Sequence, residues 1–114
     1  MTVLIVEDNA SVRRLLRRVV QQIATEIWEC ADGAEALALY SEQMPNVVLM
    51  DVRMPIMDGL TATRQIRKFD PAARVIIVTD CDDEDMRAAA SEAGASGYVL
   101  KQDLTTLEAL IGRP

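Results

Sequence analysis

The sequence predicts an α/β domain of five alternating strand–helix units, folded as a doubly wound three-layer sandwich. Three short runs, "TVLIV" (2–6), "VVLM" (47–50) and "RVIIV" (74–78), are almost wholly apolar, as parallel strands covered on both faces are. Between them apolar residues recur at helical spacing, and the connections are only a few residues long, which favours right-handed crossovers between parallel neighbours.

After the first strand, Val12, Leu15, Leu16, Val19, Val20 and Ile23 follow the i, i+3, i+4, i+7 stripe of a helix with one buried face. "IWEC" (27–30) is a weaker strand of the kind found at a sheet edge. Asp32 followed by Glu35 reads as a capping box opening a helix over 33–44. The strand 47–50 precedes a helix over "LTATRQIRKF" (60–69), and 74–78 precedes one over "DEDMRAAASEA" (83–93), stopped by Gly94 at the C′ position. "GYVL" (97–100) is a second edge strand, and a short helix, "DLTTLEALI" (103–111), begins at Asp103.

A length of 114 residues suits one domain, 1–114, with a core of useful size. The net charge of −6 argues against general binding to nucleic acid or anionic membranes. No stretch has the length of a membrane span or the form of a signal peptide, and Cys30 and Cys81 make no disulfide framework, so a cytoplasmic protein with reduced thiols is expected. The chain contains no histidine, which removes imidazole catalysis and imidazole metal sites. Its chemistry must run on carboxylates, hydroxyls and lysine.

The predicted topology gathers those groups. Ligands of such sheets bind beyond the carboxyl ends of the strands. Glu7 and Asp8 end the first strand, Asp51 the third, Thr79 the fourth and Lys101 the fifth. Three converging acids repel one another, which raises a carboxylate pKa in the metal-free fold, and a hard cation such as Mg2+ relieves the repulsion. One Asp51 oxygen is then free to attack phosphorus, giving an aspartyl phosphate. Lys101 and the metal offset the charge of the transferring group, and Thr79 can hydrogen-bond one of its oxygens.

"LIVED", "MDVRMPIMDG", "VIIVTD" and "GASGYVLK", in that order, make the whole chain resemble a receiver domain of a two-component response regulator. The resemblance implies a flavodoxin-like sheet in the order 2-1-3-4-5. It makes Asp51 the phosphoacceptor, and Glu7, Asp8 and the backbone carbonyl of Arg53 the Mg2+ ligands beside it. Thr79 and Lys101 contact the phosphoryl group, with Thr79 and Tyr98 as the switch pair. It also implies a sensor histidine kinase or phosphotransfer protein as partner, no direct nucleic-acid binding by this domain, and dimerisation on phosphorylation. The output surface would be the fourth helix, fifth strand and fifth helix, and the "GASGYVLK" lead-in is similar to regulators of transcription with a helix-turn-helix output.

Two positions depart from the pattern. Gln102 follows the lysine where many receivers have a cis-proline, so a trans bond is expected. Asp80 follows the threonine where a small residue is usual, and is expected either to guard the site or to turn outward and cap the fourth helix. Arg13, Arg14, Arg17 and Arg18 read as a solvated basic face, and the acids 82–85 as favourable charge at a helix N-terminus. Two other functions compete with the switch. A phosphatase with an aspartyl nucleophile would want a second acid where Arg53 stands. A phosphate-independent binding module on the same fold would have Asp80 as its sign.

Overall fold

The computed structural model describes residues 1–111. The strands are β1 (Thr2–Val6), β2 (Glu26–Cys30), β3 (Val47–Met50), β4 (Val75–Thr79) and β5 (Gly97–Leu100). They alternate with α1 (Ala10–Val20), α2 (Gly33–Gln43), α3 (Gly59–Phe69), α4 (Glu84–Glu92) and α5 (Leu104–Ile111). All strand pairs are parallel, and the sheet runs β2-β1-β3-β4-β5. This is the flavodoxin-like (βα)5 fold expected.

The apolar strands are continuous because successive side chains serve different layers. Leu4, Val6, Val48, Met50, Val75 and Ile77 pack against Ala36 and Tyr40 of α2, Ala62 and Ile66 of α3, and Ala90 of α4. Val3, Ile5, Val47, Leu49, Ile76 and Val78 turn the other way, onto Leu16 and Val20 of α1 and Leu107 and Ile111 of α5.

Helix ends follow local hydrogen bonding. Asn9 Oδ1 accepts from the amides of Ser11 and Val12, so α1 begins before the apolar stripe does. It ends at Val20, leaving Ile23 in a turn where its amide donates to the Val20 carbonyl, rather than in the helix. Asp32 Oδ1 caps α2 through the Glu35 amide, and Asp58 caps α3 through Thr61. Gly94, at φ +95°, ends α4 as a Schellman turn, with Gly94 N–H donating to Ser91 and Ala95 N–H to Ala90.

Strand β4 is displaced by one residue from the expected 74–78. The Arg74 guanidinium leaves the sheet to donate to the Leu110 carbonyl, while Thr79 pairs with Leu100 as the last residue of the strand. No peptide bond among the described residues is cis, the Lys101–Gln102 bond included. No helix among them is long and apolar enough to cross a membrane.

Candidate functional site

The carboxyl ends of β1, β3, β4 and β5 contribute to one cavity of about 320 Å3, lined by Glu7, Asp8, Asp51, Thr79, Asp80 and Lys101 among others. A larger hollow of about 550 Å3 between α2 and α3 is lined by Leu37, Ser41, Gln65, Lys68 and Phe69, with no carboxylate among the described residues that line it.

Glu7 follows β1 directly and is only 1% exposed, whereas its neighbour Asp8 is exposed. The Asn9 amide donates to Glu7 Oε2 at 3.1 Å. Glu7 Oε1 lies 2.9 Å from Lys101 Nζ as an ion pair, yet receives no directed hydrogen bond. Asp51 follows β3 and is 6% exposed. Its Oδ1 accepts from the Val52 amide at 2.9 Å and lies 3.2 Å from Lys101 Nζ. Gly59 permits this packing, because a Cβ there would stand 1.8 Å from the Asp51 carbonyl oxygen. The β3–α3 loop also holds Ile56 at φ +70°, a strained conformation for a β-branched residue, with the Met57 amide folded back onto the Pro55 carbonyl.

Burial raises the Asp51 pKa first and the Glu7 charge second, and against the opposing pull of Lys101 they bring it to about 7. Sequence reasoning put like-charge repulsion foremost, but desolvation at the buried strand end is larger. For Lys101, burial lowers the pKa, but the contact with Glu7 and the charge of Asp51 outweigh it and hold the ammonium above its ordinary value.

Thr79 is buried, and its Oγ1 accepts from the Cys81 amide at 3.2 Å. Tyr98 stands on β5, half-buried, with its hydroxyl donating to the Cys81 carbonyl at 2.5 Å and the Arg87 guanidinium 4.5 Å above its ring. Asp80 is exposed on the cavity wall, and the residue capping α4 is Asp83, through the Asp85 amide. Arg53 lines the same cavity.

Carboxylate oxygens of Glu7, Asp8 and Asp51 lie within 4.8 Å of one another. The donor set is all hard oxygen, three carboxylates meeting at one cavity with only Lys101 paired against them, so these residues fit a cation such as Mg2+.

The basic face of α1 differs from the expected solvated patch. Arg13 and Arg17 both pair with Glu29 of β2, at 3.2 and 2.5 Å, and Arg13 Nη1 also donates to the Glu7 carbonyl at 2.8 Å. Arg14, Arg17 and Arg18 are exposed, and Arg13 is half-buried. The contact of Arg13 with the Glu7 carbonyl spans only six residues but appears only once α1 folds back over the end of β1, and its pairing with Glu29 needs β2 registered beside β1.

Residues 3–111 match the model of the response regulator receiver domain. The chain is 39% identical over 99 residues to the chemotaxis protein CheY of Halobacterium salinarum, covering 87% of this chain and 82% of that one. It is 36% identical over 111 residues to CheY of Thermotoga maritima, covering 95% and 92%. The crystal structure of a LuxR-family DNA-binding response regulator from Staphylococcus aureus superposes with a TM-score of 0.86 at 31% identity, covering 96% of this chain and 94% of that one. Sequence, topology and the cluster of acids at the strand ends agree: the chain belongs to the receiver domains of two-component response regulators, a family of signalling switches.

Proposed function

We propose that this receiver accepts a phosphoryl group on Asp51 from a phosphohistidine of a sensor histidine kinase or phosphotransfer protein, with Mg2+ present. The observation that carries the reading is the placement of Asp51, buried at a strand end between Lys101 and two further acids. Glu7, Asp8, Asp51 and the backbone carbonyl of Arg53 would hold the metal. Bound Mg2+ supplies positive charge against the acids and the equatorial phosphoryl oxygens.

The chain's own residues divide the remaining work. Asp51 Oδ1 is occupied by the Val52 amide and Lys101, which leaves Oδ2 as the attacking oxygen. An O–P bond forms as the donor's N–P bond breaks, and the electron pair stays on the imidazole nitrogen, which takes a proton from water. Lys101 offsets charge on the transferring group, and the Thr79 hydroxyl turns to donate to one of its oxygens. With no histidine in the chain and, among the described residues, no strong base lining the cavity, the product is held rather than rapidly hydrolysed. The signal leaves through α4, β5 and α5, by self-association or a change of partner. The output is control of transcription, supported by likeness to a DNA-binding regulator.

Intact-mass spectrometry tests this. Acetyl phosphate with Mg2+ should add one phosphoryl group to the wild type and none to Asp51→Asn or to protein held in EDTA. Undiminished modification of Asp51→Asn overturns the assignment. A second reading, a phosphate-independent binding module, is favoured by Asp80 at the cavity wall and predicts no modification of the wild type.

A further inference from the structure

We infer that Arg13 is a positioning residue for the metal-binding acids, and that Glu29 holds it in place; this rests on the Mg2+ reading of the cavity. The β1–α1 connection must leave the sheet within three residues and still present Glu7 and Asp8 to the same cavity. The sheet secures only part of that turn. The Glu7 amide is bonded to the Cys30 carbonyl and the Val6 carbonyl accepts from Asp51, but there the ladder ends, and the Glu7 carbonyl lies beyond it. Arg13, about one turn into the next helix, reaches back and donates to that carbonyl at 2.8 Å. The guanidinium thereby ties α1 to the peptide unit that joins the two acids.

Glu29 makes the arrangement rigid and tolerable to a cation. Its Oε1 lies 3.2 Å from Arg13 Nε and its Oε2 2.5 Å from Arg17, so the Arg13 guanidinium is held between the Glu29 carboxylate on one side and the Glu7 carbonyl on the other. The Glu29 carboxylate also offsets positive charge that would otherwise oppose a divalent ion in the adjoining cavity. Arg13 touches neither the metal position nor the acceptor oxygen, and it acts through the Glu7 backbone. Partners of this kind, one step removed from the ligands, typically change metal affinity by about 10–100-fold when removed.

Calorimetric titration with MgCl2 of wild type, Arg13→Ala and Arg13→Lys, alongside urea unfolding of each, tests the role. Arg13→Ala should lose at least about tenfold in Mg2+ affinity, while a purely structural arginine would lower the unfolding midpoint and leave affinity unchanged. Arg13→Lys keeps the charge but cannot bridge Glu7 and Glu29 with a planar fork, so it should recover only part of the loss. If Arg13→Ala fails to fold, the lysine variant carries the test, and wild-type affinity in it overturns the proposal. Affinity of a folded Arg13→Ala within about twofold of a wild type that does bind Mg2+ overturns the positioning role alone. Absence of saturable binding to the wild type overturns the metal reading and this inference with it.

Discussion

Lys101 Nζ lies 3.2 Å from Asp51 Oδ1, although Lys101 follows β5 and Asp51 follows β3, with β4 between them. The ion pair therefore exists only when three strands are in register, and it couples the acid's charge to the integrity of that sheet edge. It does not fully compensate the acid, because burial and the Glu7 charge still raise the Asp51 pKa to about 7.

A pH dependence follows. The unfolded carboxyl titrates near the ordinary 3.8, and the folded one near 7, so the folded state binds the extra proton between those values. Asp51 thus lowers stability as pH rises through that window, with the full penalty above about pH 7 and none below about pH 4. Allowing for solvent screening at the open side of the cavity, the penalty is on the order of 2 kcal/mol. In metal-free buffer, Asp51→Asn should unfold at higher urea than wild type at pH 8, and the gap should close toward pH 4. A constant gap across that range would contradict the titration.

Gly59 is a second point of sensitivity. A Cβ would meet the Asp51 carbonyl oxygen at 1.8 Å, so Gly59→Ala must displace either α3 or the peptide that carries the acceptor. The expected cost is about 2–4 kcal/mol, with loss of phosphorylation in the fraction that remains folded. At Gly97 the closest atoms to a built Cβ are 3.6 Å away, an ordinary contact. Gly97→Ala should change stability by less than about 1 kcal/mol, and denaturation of the two variants side by side tests the contrast.

Thr79 and Tyr98 are joined through one residue. The Cys81 amide donates to Thr79 Oγ1 and the Cys81 carbonyl accepts from Tyr98. If Thr79 turns toward a phosphoryl oxygen, the Cys81 peptide loses that acceptor, and the disturbance reaches the tyrosine by the shortest covalent route. Tyr98 is already tied to the β4–α4 loop, so loop and ring should move together rather than the ring alone swinging inward. Beryllofluoride with Mg2+ should shift the Cys81 amide and the Tyr98 ring signals in NMR spectra, and Thr79→Ala should confine the changes to the cavity. Wild-type shifts that stop short of Tyr98 would refute the relay.

The sheet was legible in the sequence because its strands are apolar on both faces, and the positions of Glu7, Asp51, Thr79 and Lys101 followed from the strand ends. Boundaries set by a single polar side chain were less visible. Asn9 starts α1 ahead of its apolar stripe, and the Arg74 side chain is drawn to a carbonyl of α5 while its backbone carbonyl still accepts from Val48 of β3. The link from Arg13 to Glu29 was hidden because it depends on which residues of β1 and β2 lie side by side, and the bond to the Glu7 carbonyl depends on how the first turn of α1 sits over the strand end. Charge alone suggested a solvated face, and register made half of it structural.

Asp80 allows the sharpest test of how the cavity is controlled. It lines the cavity wall and is exposed, while Asp83 performs the capping of α4 that was the competing explanation for Asp80. A carboxylate ~8–10 Å from an approaching anionic donor repels it by on the order of 1–2 kcal/mol at an effective dielectric near 20, before salt screening. That corresponds to roughly tenfold in rate. Asp80→Ala should therefore accept phosphoryl groups from acetyl phosphate roughly tenfold faster at low salt, with the advantage shrinking as ionic strength rises, and with little change in unfolding midpoint. Asp83→Ala should do the reverse, losing about 1 kcal/mol of stability with an unchanged rate. Stopped-flow phosphorylation of both variants at two salt concentrations separates the roles. Equal rates for wild type and Asp80→Ala under both conditions would show that Asp80 guards nothing.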